Sequence, residues 1–169
     1  MKRLIAIAAL SMSLAAQAEN RIAVSAGESL HRDASNFYRA AFQYKMSDNV
    51  FNTDYTLVEA YLDLAASVWN HSDDVLVVSV SPVLRIKPQH IGSDFKPFID
   101  VGVGPAYVSE TTYGNRDLGQ HLQFENRIGL GVEHGNKALS VNAFHYSNAG
   151  LADENAGTDW IVGTFSVEF

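Results

Sequence analysis

From Asn20 to the C-terminus, apolar residues recur at every second position, and nowhere in that span do they form the run of roughly 20 that a membrane-crossing helix needs. Period two is the signature of a strand, whose side chains point alternately to the two faces of a sheet. The alternation predicts strands near 20–28, 35–46, 55–69, 74–87, 95–109, 121–134, 137–148 and 159–169. No repeat, low-complexity tract or linker interrupts them, which argues for one all-β domain. If this chain lies in a membrane, it must cross as a closed barrel, the other structure that satisfies its backbone in lipid.

The alternation sorts the side chains cleanly. In the third strand Val58, Ala60, Leu62, Leu64, Ala66 and Val68 oppose Glu59, Tyr61, Asp63 and Ser67. In the fourth, Leu76, Val78, Val80, Leu84 and Ile86 oppose Ser79, Ser81, Arg85 and Lys87. A soluble barrel turns its apolar face inward and a transmembrane barrel turns it to lipid, and parity alone does not say which. Strand length tips the reading: several strands run well past the 9 to 11 tilted residues that cross a bilayer. The even strand number agrees, as does an apolar alternation ending in Phe169, which resembles the assembly signal of bacterial outer-membrane proteins. The expectation is an eight-stranded antiparallel transmembrane β-barrel in the outer membrane. Glu125, Arg127, Asp100 and Arg85 then point into a polar lumen as a structural ion-pair network.

The N-terminus supports export. Lys2 and Arg3 precede an apolar run from Leu4 to Ala16, and Ala16-Gln17-Ala18 has the small residues a signal peptidase requires. Residues 1–18 are therefore read as a signal peptide and 19–169 as the barrel. The chain carries a net charge of −7, more acidic still without Lys2 and Arg3, so it lacks the basic footprint of a nucleic-acid binder. It has no cysteine, which excludes disulfides, thiolate nucleophiles and Cys-based metal sites. No ligand cluster points to calcium or another metal, and no cofactor is indicated. Pro82, Pro97 and Pro105 fall inside predicted strands, where each removes a ladder hydrogen bond; bulges or strand ends are two ways to absorb them, and the sequence does not say which applies.

An even strand number puts both termini in the periplasm. Gly135-Asn136 becomes a periplasmic turn, and the segments near 109–120 and 148–158 become external loops. In the seventh strand, Leu139, Val141 and Ala143 share a face that continues as His145 and Ser147. In the eighth, the face of Ile161, Gly163 and Phe165 begins at Asp159. Consecutive antiparallel strands can bring these three polar side chains together on the outer wall, in the outer leaflet. One reading places them harmlessly among lipid headgroups. The other is chemical: serine, histidine and acid are the parts of a nucleophilic triad, and an ionisable group facing lipid is by default a functional hypothesis. Geometry alone does not choose between them.

The segment Phe144-His145-Tyr146-Ser147-Asn148-Ala149-Gly150-Leu151, followed by Asn155-Ala156-Gly157-Thr158-Asp159, resembles the C-terminal motif of the PagL family of lipid A 3-O-deacylases. Pro97-Phe98, Gly102-Val103-Gly104-Pro105-Ala106-Tyr107 and Leu122-Gln123-Phe124-Glu125 add weaker similarity. The resemblance implies an eight-stranded outer-membrane enzyme that hydrolyses the ester-linked acyl chain at position 3 of lipid A, with lipopolysaccharide as substrate. It implies Ser147 as nucleophile, His145 as base, and Asn148 and Gly150 as oxyanion holders. The family has glutamate where this chain has Asp159, one methylene shorter, which leaves Glu154 as an alternative acid. Asn148-Ala149-Gly150 also reads as a turn leaving the strand. Against this stand a non-catalytic structural or adhesion barrel and a soluble periplasmic binding barrel. The oligomeric state is open, a homodimer included.

Overall fold

The computed structural model describes residues 19–31, 35–70 and 74–169. The expected signal segment, residues 1–18, lies outside them. Eight antiparallel strands are present: β1 (Arg21–Ser29), β2 (Asn36–Asn52), β3 (Thr56–Asn70), β4 (Val75–Pro88), β5 (Phe95–Val108), β6 (Leu122–His134), β7 (Lys137–Ser147) and β8 (Thr158–Glu168). Each pairs with its sequence neighbours, and β1 pairs with β8, so the sheet closes on itself. Closure removes both edges and satisfies the backbone within the wall. At the seam Arg21 aligns with Glu168, and its guanidinium donates to the Glu168 carboxylate at 2.8 and 3.0 Å.

Ring closure decides which face is inside. Ile128, Leu130, Leu139 and Val141 point outward and are more than half exposed in the isolated chain, whereas Arg39, Asp63, Arg85, Asp100 and Glu125 are buried. This is the inside-out arrangement of a transmembrane barrel. The buried charges are paired, as burial requires if it is not to cost several kcal/mol per ion. Arg39 donates to Glu125 at 2.8 Å and to Asp63 at 2.5 Å, and Arg127 donates to the other Asp63 oxygen at 3.1 Å. Arg85 grips Asp100 through two bonds of 2.8 and 2.7 Å and reaches Glu133 at 2.7 Å.

The lumen is polar over only part of its height. Its end away from the termini is filled by Phe37, Trp69, Phe144, Tyr146 and Trp160, closed over by Tyr113 and Leu118. Trp69 and Tyr146 meet edge-on with ring centroids 4.9 Å apart, and Phe37 stacks on Phe144 at 5.5 Å. Here the rings pack against one another as a buried aromatic plug.

Three local differences from the sequence reading have plain causes. β2 continues to Asn52 rather than ending at 46, because register shifts around Ser47 let Phe51 and Asn52 still pair with Val58 and Leu57. The polar Ser47-Asp48-Asn49 breaks the alternation there, which is the signature of a bulge. The 109–120 segment is not a plain loop: Thr112–Tyr113 and Arg116–Asp117 form a small ribbon around Gly114, whose φ of 57° suits the tight turn. The prolines are absorbed without a slip. The β4–β5 ladder keeps one register from Ser79↔Ala106 to Val83↔Gly102, but the pairs around Pro82 and Pro105 drop out. Pro97 lies below Ile86↔Ile99, the last β4–β5 pair.

Candidate active site

The outward rows of β7 and β8 carry the polar residues to the end of the barrel opposite the termini. His145 and Asp159 are direct cross-strand partners in the β7–β8 ladder. Opposed residues of an antiparallel pair hold their Cβ atoms about 4.5–5.5 Å apart, so a carboxylate on the shorter aspartate stem can reach the ring. It does: His145 Nδ1 lies 2.7 Å from Asp159 Oδ1, with the two side chains 47% and 41% exposed on the outer wall. Ser147 stands two residues beyond His145 on the same face, and its hydroxyl makes no hydrogen bond among the described residues. Behind the ring sits Gly157, with φ 58°; a Cβ there would lie 3.2 Å from His145 Cε1, so a side chain at this position would press on the imidazole.

The turn after Ser147 is tightly tied. Asn148 is fully buried; its Nδ2 donates to the Leu118 and Glu154 carbonyls at 3.0 and 2.7 Å, and its Oδ1 accepts from the Gly150 N–H at 2.9 Å. The Asn148 N–H donates to Asn155 Oδ1 at 3.0 Å. In this state both expected oxyanion donors are engaged within the protein, and Asn148 pins the 148–158 loop to the 109–120 segment. Ala149 and Gly150 take left-handed backbone, at φ 55° and 80°. Glu154 meets this network only through its main-chain carbonyl.

Three further residues belong here that the sequence reading passed over. His31, just past β1, places Nε2 3.2 Å from the second Asp159 oxygen. Arg116, from the ribbon, reaches His31 Nδ1 at 2.8 Å and donates to the carbonyls of Ala156 and Gly157 at 2.7 Å each. Asn126 flanks His145 on β6, its amide 3.5 Å from the His145 carbonyl. Asn126 had a visible signal, being a polar interruption of the apolar row of Phe124 and Ile128. His31 and Arg116 had none, since neither lies on an alternating row. Below the pair, the wall is hollowed into a groove of about 660 Å³, lined by Leu84, Val101, Val103, Ile128 and Ala143, with His145 and Asp159 at its rim. Among the described residues no three His, Asp or Glu side chains gather as a metal site.

A closed barrel with apolar rows outward and a histidine–carboxylate pair on its outer wall, two residues from a serine, defines a class: a transmembrane-type β-barrel carrying residue types that a nucleophilic hydrolase uses. Comparison with known proteins makes this specific. The family model described as lipid A 3-O-deacylase (PagL) matches residues 36–168. The lipid A deacylase PagL of Pseudomonas aeruginosa is 31% identical over 94% of both chains, and that of Bordetella bronchiseptica is 27% identical over 95% of this chain and 93% of its own. The crystal structure of the outer membrane enzyme PagL superposes with a TM-score of 0.80 at 28% identity, covering 88% of this chain and 99% of that one. The chain belongs to the PagL family of lipid A 3-O-deacylases, a family of β-barrel enzymes.

Proposed function

We propose that this barrel resides in the outer membrane and removes the ester-linked 3-hydroxyacyl chain at position 3 of lipid A in the outer leaflet, with Ser147 as nucleophile, His145 as general base and Asp159 as the orienting acid. The observation that carries the reading is the 2.7 Å bond between His145 Nδ1 and Asp159 Oδ1. An imidazole that donates from Nδ1 to a carboxylate keeps its lone pair on Nε2, and that lone pair is the base a serine needs. Ser147 follows on the same face, so the ester carbonyl would be attacked at the wall, not in the plugged lumen.

In the acylation step the Ser147 oxygen bonds to the ester carbonyl carbon and its proton passes to His145. The imidazolium then returns that proton to the departing sugar oxygen, leaving the acyl group on Ser147. Water attacks the acyl-enzyme by the same route in reverse and releases the hydroxy fatty acid. The developing oxyanion falls to the turn after Ser147. The left-handed backbone at Ala149 and Gly150 is a turn geometry that can direct neighbouring N–H groups to one side, the basis of an anion-binding nest. The Gly150 N–H would exchange Asn148 Oδ1 for the oxyanion, with Asn148 holding the loop in place. Removing a donor of this kind typically costs about 10²–10³ in rate.

The groove below His145 suits an acyl chain. Its walls are aliphatic and face the hydrocarbon, so the substrate would enter sideways from the membrane without leaving it. The test is mass spectrometry of lipid A from cells carrying the wild type or Ser147→Ala. Wild type should remove one 3-hydroxyacyl chain and the variant should not. Loss of that chain from cells carrying only the variant would overturn the assignment.

A further inference from the structure

We propose that His31 is a positioning residue for the reaction: it holds the outer oxygen of Asp159, and Arg116 holds His31 in the one tautomer that can do so. The inference rests on the reading of the site given above. Arginine has only donors, so the 2.8 Å contact from Arg116 Nη2 makes His31 Nδ1 an acceptor. A neutral imidazole with an acceptor at Nδ1 carries its proton on Nε2. That nitrogen lies 3.2 Å from Asp159 Oδ2, which puts the carboxylate oxygen within reach of its proton. The Asp159 N–H is also directed at Nε2, at 3.1 Å; a proton on Nε2 displaces that contact in favour of the carboxylate oxygen beside it.

The result is a continuous chain from Arg116 through His31 and Asp159 to His145. Each carboxylate oxygen of Asp159 then has its own histidine: His145 on Oδ1 and His31 on Oδ2. The carboxylate is 41% exposed on the wall, and without His31 its outer oxygen would have no ring to hold it. The backbone prepares the arrangement. The Leu30 N–H donates to the Asp159 carbonyl at 2.9 Å, and the His31 N–H donates to Ser29 Oγ at 3.1 Å, which sets His31 beside the start of β8. Arg116 also clamps the Ala156 and Gly157 carbonyls, the corner that backs the His145 ring. One guanidinium therefore steadies both histidines, which is more than a surface contact would do.

The test uses the full-length protein refolded into lipopolysaccharide-containing vesicles, with folding checked by heat-modifiable gel migration. His31→Ala should lower kcat roughly 10–100-fold, the loss expected for one hydrogen bond to a charged group, with KM close to wild type. His31→Gln should recover most of that loss, because its amide can accept from Arg116 and donate to Asp159 from the same place. Histidine nitrogen NMR should find His31 protonated at Nε2 in the wild type and lose that preference in Arg116→Met. Wild-type kcat in His31→Ala, a His31→Gln variant no better than His31→Ala, or a His31 proton on Nδ1 each overturns the proposal. Ser147→Ala run beside them separates the two levels. If it still deacylates, the site reading itself fails, whereas an inactive Ser147→Ala with an unaffected His31→Ala removes only His31.

Discussion

Asp159 is the register partner of His145 across the β7–β8 ladder, and its Oδ1 lies 2.7 Å from His145 Nδ1. Register, not side-chain length, lets the short aspartate stem reach the ring. Facing positions bring the two Cβ atoms close enough that the shorter stem closes the gap.

Removing that carboxylate should matter far more than removing its neighbour in the loop. Asp159→Ala is expected to lower deacylation by about 10⁴-fold, the loss seen when a triad loses its acid. Glu154→Ala should leave the rate within a few-fold of wild type, since only its main-chain carbonyl is engaged and any residue supplies one. Single-turnover assays on purified lipid A measure both. A larger loss in Glu154→Ala would reassign the acid.

Gly157 sets the back of the site. Gly157→Ala adds a Cβ 3.2 Å from His145 Cε1 at a φ of 58°, a backbone region that side chains rarely occupy. The variant should fold, because the strand ladders are untouched, yet its rate should fall by roughly 10-fold or more as the imidazole is pushed from its line, a shift equivalent to about 1.4 kcal/mol in the barrier. A folded Gly157→Ala with wild-type rate would show that the ring has slack.

The groove makes a prediction about chain length. Ala143 lies on the row directly below His145 and opposite Ile161. Ala143→Phe should obstruct the groove, so activity on long-chain lipid A should fall while short-chain esters are still hydrolysed. Equal loss on both substrates would place the acyl chain elsewhere.

Stability rests on the lumen. Arg39 serves Glu125 and Asp63 together, and both carboxylates are fully buried. Arg39→Ala leaves them facing each other with less compensation, a change that typically costs about 3–5 kcal/mol. Urea unfolding followed by gel migration should shift to clearly lower denaturant. An unchanged midpoint would mean that Arg127 alone satisfies the pair.

Much of this architecture was legible because strand parity is a local property. Ile128, Leu130, Val141 and Phe165 declare one face simply by their spacing, and His145, Ser147 and Asp159 stand out as polar members of that same face. The bulged continuation of β2 was not legible, since Ser47-Asp48-Asn49 loses the alternation while the backbone goes on pairing. The aromatic plug was hidden for a different reason. Phe37, Trp69, Phe144 and Trp160 each lie on an inward row, but only their convergence at one end makes them a core.

By itself, the sequence determined the eight strands, their two faces and the residues that mark the outer row, because a period of two depends only on neighbours along the chain. Tertiary structure alone decided which face looks into the ring and which partners meet at its wall. Closure set the charges inside and the aliphatic rows outside. It also brought His31 to Asp159 across 128 positions and Arg116 to His31 across 85, distances in sequence over which no local pattern carries information. With β1 hydrogen-bonded to β8, Leu30 tied to the Asp159 carbonyl and Arg116 bonded to the Ala156 and Gly157 carbonyls, those residues become neighbours.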